Sequence, residues 1–105
     1  PVLAAIPFDT EDEALEIANS SRYGLAAGVW TQDISRAFRM TRSIEAGVIW
    51  VNTYRASAVQ APFGGCKDSG YGRERGEVAL QEFTSVRDVM INFSDEERDP
   101  FSVRV

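Results

Sequence analysis

Apolar residues along this chain fall into short continuous runs separated by amphipathic stretches. Residues 2–8 (VLAAIPF), 25–30 (LAAGVW) and 48–51 (VIWV) are such runs, and each predicts a strand buried on both faces. Pro7 belongs near the end of the first, because proline removes a ladder donor. Between the runs, two segments follow helical spacing. Thr10 and Glu13 match a capping box, and Ala14, Leu15 and Ala18 form an apolar stripe with Ile17 at its edge. The spacing predicts a helix over 11–19, ended by Asn19-Ser20-Ser21. Thr31 or Asp33 can cap a second helix, in which Ile34, Ala37, Phe38, Thr41 and Ile44 share one face. Arg36, Arg39, Arg42 and Ser43 occupy its other face, expected to be solvated. Strand–helix–strand–helix–strand predicts an α/β fold with a parallel βαβαβ core, flanking helices and right-handed crossovers.

The second half has a different texture. Residues 52–72 contain Pro62, Gly64, Gly65, Gly70 and Gly72 and predict a long glycine-rich loop. Loops beyond about 12–15 residues are uncommon in compact domains and are usually functional. A helix over 73–83 should follow, with Ala79, Leu80 and Phe83 facing inward. Val86, Val89, Ile91 and Phe93 then predict a strand, and Phe101, Val103 and Val105 a short alternating tail.

Composition narrows the function. The chain has 105 residues, the size of one small domain, and its formal charge of −5 argues against a nucleic-acid partner. No apolar run approaches the roughly 18 residues of a membrane span. The single Cys, Cys66, cannot form an internal disulfide, which fits a reducing, cytoplasmic setting. There is no His, which excludes His-based triads and most zinc sites within this chain, so no metal site is expected. The chain opens on Pro1 with a strand-like run and no initiator Met, as expected of a piece of a longer protein.

The loop carries a family signature. Residues 62–74 (PFGGCKDSGYGRE) resemble the PFGGxKxSGxGRE motif of NAD(P)-dependent aldehyde dehydrogenases. Residues 50–54 (WVNTY) resemble that family's WVNxY segment, residues 23–31 its YGLAAxVWT strand, and Pro1-Val2 the end of its EIFGPV motif. The matches occur in family order and spacing and cover about residues 1–93.

The resemblance implies the C-terminal part of the catalytic domain over 1–83 and an oligomerisation strand and tail over 84–105. It also implies a parent enzyme that oxidises an aldehyde to a carboxylic acid through a Cys thioester, with NAD or NADP as cofactor. In the family, the nucleophilic Cys, the general-base Glu, the oxyanion-hole Asn and the cofactor domain all lie upstream. The chain alone is therefore expected to have no catalytic residue, to bind no cofactor and to be inactive. Cys66 falls at the variable position of the loop motif and is expected to be structural. Tyr54, Arg55, Ser57 and Phe63 correspond to the family's aldehyde entrance tunnel. Arg55 stands where an acidic or small residue is often found, and Ser57 where an aromatic often packs, implying a wider, more polar or anion-tolerant tunnel; the alternative is that Arg55 points to solvent. Asn52, Gly64 and Gly65 are expected to support the active-site wall. Glycine allows the close backbone approach such a loop requires, and neither GxGxxG nor GxxxxGK[ST] follows a strand here. Implied partners are the remainder of the dehydrogenase chain and further copies, joined through residues 86–93. The alternative is a non-catalytic structural or oligomerisation module derived from the same fold.

Overall fold

A computed structural model describes residues 2–95 and Phe101. Its centre is one β–α–β crossover unit. Helix α1 (Glu11–Asn19) leads into strand β1 (Tyr23–Gly24) and strand β2 (Ala26–Val29). Helix α2 (Ile34–Ser43) then carries the chain to strand β3 (Val48–Val51), which pairs in parallel with β2 in the register Ala26–Val48 to Val29–Val51. Strand β4 (Cys66–Lys67) returns from the glycine-rich loop and pairs antiparallel with β1. A 3-10 helix (Glu77–Phe83) closes the described architecture.

Local chemistry explains the helix bounds. Thr10 accepts the Glu13 amide on its side chain at 3.1 Å, and the Glu13 carboxylate accepts the Asp9 amide at 2.8 Å. That is a reciprocal cap shifted one residue upstream of the usual box. At α2 the cap is Asp33, whose carboxylate accepts from the Ser35 and Arg36 amides. Thr31 supports it by accepting the Asp33 amide. The core is thin: α2 packs on β2, burying Val29 and Ala37. Asn19 fastens the two helix ends together. Its amide group donates to the Ser43 carbonyl and its oxygen accepts the Glu45 amide.

Several sequence expectations need correction. Residues 2–8 form no strand: no described segment pairs with them, and Val2 and Leu3 are 98% and 91% exposed. The parallel βαβαβ core therefore reduces to the single β2–α2–β3 unit. The run 25–30 supplies β2, and the separate strand β1 comes just before it, because Gly24 pairs with Cys66 while Ala26 pairs with Val48. The helix expected over 73–83 starts late and is a 3-10 helix. Arg75 and Gly76 have φ of 63° and 62°, outside the right-handed helical region, and Gly76 offers no side-chain cap. Residues 86–93 form no strand either, since among the described residues nothing offers them a ladder partner. The tail beyond Phe101 lies outside the described residues. The arginine face of α2 is not simply solvated, because Arg36 and Arg39 both grip Glu11 of α1.

The Cα radius of gyration is 22.6 Å, against roughly 13 Å for a compact domain of this length. The chain does not close on itself.

Candidate functional site: a groove beside the parallel strands

Ala26, Ala27 and Gly28 of β2, with Trp30 just beyond it and Trp50 of β3, line an open groove of about 740 Å³. Gly28 matters to its shape. A Cβ there would sit 2.6 Å from the Trp30 ring, so only glycine lets the indole lie across the strand. The other wall is the loop after β3. Trp50 donates its indole N–H to the Ala56 carbonyl at 2.7 Å and meets Tyr54 edge-on at 5.7 Å between ring centroids. These contacts pin residues 54–57 against the strand they have just left.

All of the residues expected in an entrance tunnel (Tyr54, Arg55, Ser57 and Phe63) line this one groove. Residues from a ten-residue stretch of loop would scatter if the loop ran free. Backbone pairing prevents that. Phe63 and Glu74 exchange amide-to-carbonyl hydrogen bonds of 2.7 Å each, and the Gly76 amide donates to Val59 at 3.0 Å. The loop is thus a tied structure in which residues 59–63 and 74–76 run side by side. Nothing local in the sequence pairs residue 63 with residue 74, so the contribution of Arg75 to the groove was not legible.

The supporting residues hold the junction behind the groove. Asn52, at φ 54°, accepts the Thr31 amide on its side-chain oxygen at 2.8 Å and donates to the Thr31 carbonyl at 2.7 Å. Asparagine suits this place because it tolerates the left-handed region and carries both donor and acceptor. Gly64 and Gly65 lie where backbones cross. A Cβ on Gly64 would be 2.7 Å from the Gly72 carbonyl oxygen, and Gly65 is itself buried. The Arg73 guanidinium donates to the Gly65 and Gly72 carbonyls and locks the turn between them.

Cys66 lines neither this groove nor the neighbouring one around Tyr71. Its thiol is half-buried and donates toward the carbonyls of Gly24 and Glu45. Lys67 points away from it: the ammonium reaches the Asn19 and Ser21 carbonyls and pairs with Glu45 at 2.6 Å. A cation on the last carbonyls of α1 complements the helix dipole. These contacts give Cys66 and Lys67 roles in packing.

Electrostatics concentrate away from the groove. The Arg39 guanidinium meets the Glu11 carboxylate with two hydrogen bonds of 2.8 Å, and Arg36 adds a third at 3.2 Å. The Arg39 pairing, with help from Arg36, holds the Glu11 carboxyl down to about 2. Sequence reading missed this triangle because its members lie 25 and 28 residues apart.

Among the described residues, neither α-helix N-terminus offers free amides to a dinucleotide pyrophosphate. Helix N-termini are the usual pyrophosphate seats. Here the Asp33 carboxylate already takes the amides opening α2, while α1 begins with Glu11, Asp12 and Glu13.

The sequence profile described as the aldehyde dehydrogenase family matches residues 1–89. The chain belongs to the aldehyde dehydrogenase family. It is 48% identical over 95 residues to a putative aldehyde dehydrogenase, DhaS, of Bacillus subtilis, covering 90% of this chain and 19% of that protein. It is 50% identical over 105 residues to a (Z)-2-((N-methylformamido)methylene)-5-hydroxybutyrolactone dehydrogenase of Acinetobacter baylyi, covering 99% of this chain and 22% of the relative. Among solved structures, the NAD+ complex of aldehyde dehydrogenase from Bacillus cereus superposes with a TM-score of 0.80 at 47% identity, over 85% of this chain and 18% of that one. The chain therefore spans about a fifth of the length of the relatives it matches. The aldehyde dehydrogenase chain keeps the α/β character that its periodicity predicts, and no helix among the described residues is long and apolar enough to cross a membrane.

Proposed function

We propose that this chain forms one wall of an aldehyde dehydrogenase, supplying the aldehyde entrance and its supporting loop while the reacting groups come from the rest of a longer protein. The observation that carries the reading is the convergence of Tyr54, Arg55, Ser57 and Phe63 on one groove floored by Trp30 and Trp50. An aromatic and apolar groove with a few polar side chains suits a small organic substrate. Asn52, Gly64 and Gly65 act as support: they fix the loop and touch no substrate. The parent enzyme oxidises its aldehyde to the acid, with NAD or NADP held by residues outside this chain. Alone, the chain turns over no aldehyde.

Residues 84–105 serve assembly in this reading, and residues 1–83 complete the catalytic domain. The support is the apolar sequence of residues 86–93, of which Val86 and Phe93 are almost fully exposed and without a strand partner. Pairing with a neighbouring copy would satisfy both their side chains and their backbone.

The test is steady-state kinetics of Ser57→Phe and Phe63→Ala in the full-length enzyme. The ratio of kcat/KM for a bulky aromatic aldehyde to that for a short aliphatic one should change about tenfold, falling for the first variant and rising for the second. Equal effects on both aldehydes would remove these residues from the substrate path.

A further inference from the structure

The charge of the groove runs against that of the chain. Overall there are sixteen acidic residues to eleven basic ones, yet no Asp or Glu lines the groove and its only charged side chains are Arg55 and Arg75. Four other arginines are committed elsewhere, while Arg42 and Arg87 lie outside the groove. Arg22, Arg36 and Arg39 pair with carboxylates, and Arg73 is fixed on the Gly65 and Gly72 carbonyls. Arg55 and Arg75 pair with no carboxylate among the described residues.

Both arginines are also held in place. Arg75 sits between Glu74 and Gly76, whose amides are bound to Phe63 and Val59, and its guanidinium lies 5.7 Å from the centroid of the Phe63 ring. Arg55 lies between Tyr54, stacked edge-on to Trp50, and Ala56, whose carbonyl takes the Trp50 indole N–H. Their φ values of 58° and 63° place both in the left-handed region, which arginine rarely adopts. The loop around them fixes their backbones, and both residues line the groove.

We infer that Arg55 and Arg75 select aldehydes that carry a carboxylate at the end remote from the reacting carbonyl; this rests on the groove being the aldehyde entrance. A guanidinium presents a planar fork of donors that matches a carboxylate, and its charge cannot be titrated away near neutral pH. The apolar floor of Trp30, Trp50 and Phe63 accommodates the methylene chain, while the two cations receive its anionic end. The same pair disfavours a cationic aldehyde. Arg55 and Arg75 are thus specificity-determining residues with no part in the chemical step.

The experiment measures kcat/KM of the full-length enzyme for three aldehydes: glutarate semialdehyde, pentanal, and a trimethylammonium aldehyde of similar length. Arg55→Gln and Arg75→Gln should each lower the value for glutarate semialdehyde by about tenfold, as expected for loss of one charged hydrogen-bond partner. The double variant should lose more than either. Pentanal should lose less than glutarate semialdehyde, an unchanged urea midpoint should report that the variants fold, and the cationic aldehyde should improve. Arg55→Lys should recover part of the loss, and added salt should weaken only the anionic substrate. Equal losses for glutarate semialdehyde and pentanal would overturn this inference and leave the entrance reading standing. A wild-type enzyme that oxidises none of the three would overturn both.

Discussion

Strand β2 and residues 86–93 are both short apolar stretches, yet only one becomes a strand. Residues 26–29 lie in full register with β3 and are roofed by α2, with Val29 and Ala37 buried between them. Residues 86–93 carry Val86, Val89, Ile91 and Phe93, and all of them are exposed. Residues 2–8 share that condition at the other end of the chain. An apolar run states a demand for cover and a ladder, and the fold meets that demand only where a second segment of the same chain lies alongside. The chain spans about a fifth of its relatives' length, and in the reading proposed above the unmet demands are surfaces that other parts of a longer protein would cover.

The sharpest way to break the inner region is at its backbone crossings. A Cβ on Gly47 would overlap the Gly64 carbonyl, so Gly47→Ala should destabilise the full-length enzyme by about 3 kcal/mol, measured by urea denaturation. Gly70 has φ of 107° but nothing within 4 Å of its added Cβ, so Gly70→Ala should cost only its backbone strain, about 1–2 kcal/mol. Equal costs would show that the crossing is not tight. Next comes the Asn52 clamp. Asn52→Ala removes both hydrogen bonds to Thr31 and should cost about 2 kcal/mol, with faster hydrogen exchange at the Thr31 amide. An unchanged exchange rate would mean that the loop is held by something else.

The outer region is probed by charge. Val89→Lys with Ile91→Lys should weaken self-association by roughly tenfold in sedimentation, because lysine blocks edge pairing. The same assembly state in both proteins would remove residues 86–93 from the interface.

The smallest effect is the Glu11 triangle. Its folded carboxyl is held at about 2 against an ordinary 4.5. Ionised Glu11 therefore favours the folded state fully above pH 4.5, and that contribution disappears as pH falls toward 2. Wild type and Glu11→Gln should differ in urea midpoint at pH 7, slightly because the site is solvated, and converge near pH 2. A difference that persists at pH 2 would assign the effect to packing.

What could be read from sequence follows the same division. Helix α1, strand β3 and the Asp33 cap were legible because their signals lie within a few residues. Tyr54, Arg55, Ser57 and Phe63 could be grouped because the family resemblance spans the loop, and Asn52 because it ends an apolar run. Strand β4, the Phe63–Glu74 bridge and the Glu11–Arg39 pair were not legible, since each joins residues far apart with no local pattern. The helix expected from residue 73 failed at Arg75 and Gly76, whose positive φ comes from pairing with residues 59–63.

Hydrogen–deuterium exchange of the 105-residue chain alone and within the full-length assembly tests the central claim most directly. The account predicts that amides of residues 26–29 and 48–51 are protected in both, while those of residues 2–8 and 86–93 exchange freely in the chain alone and become protected in the assembly. Protection of residues 2–8 and 86–93 in the chain alone, or their free exchange in the assembly, would contradict it.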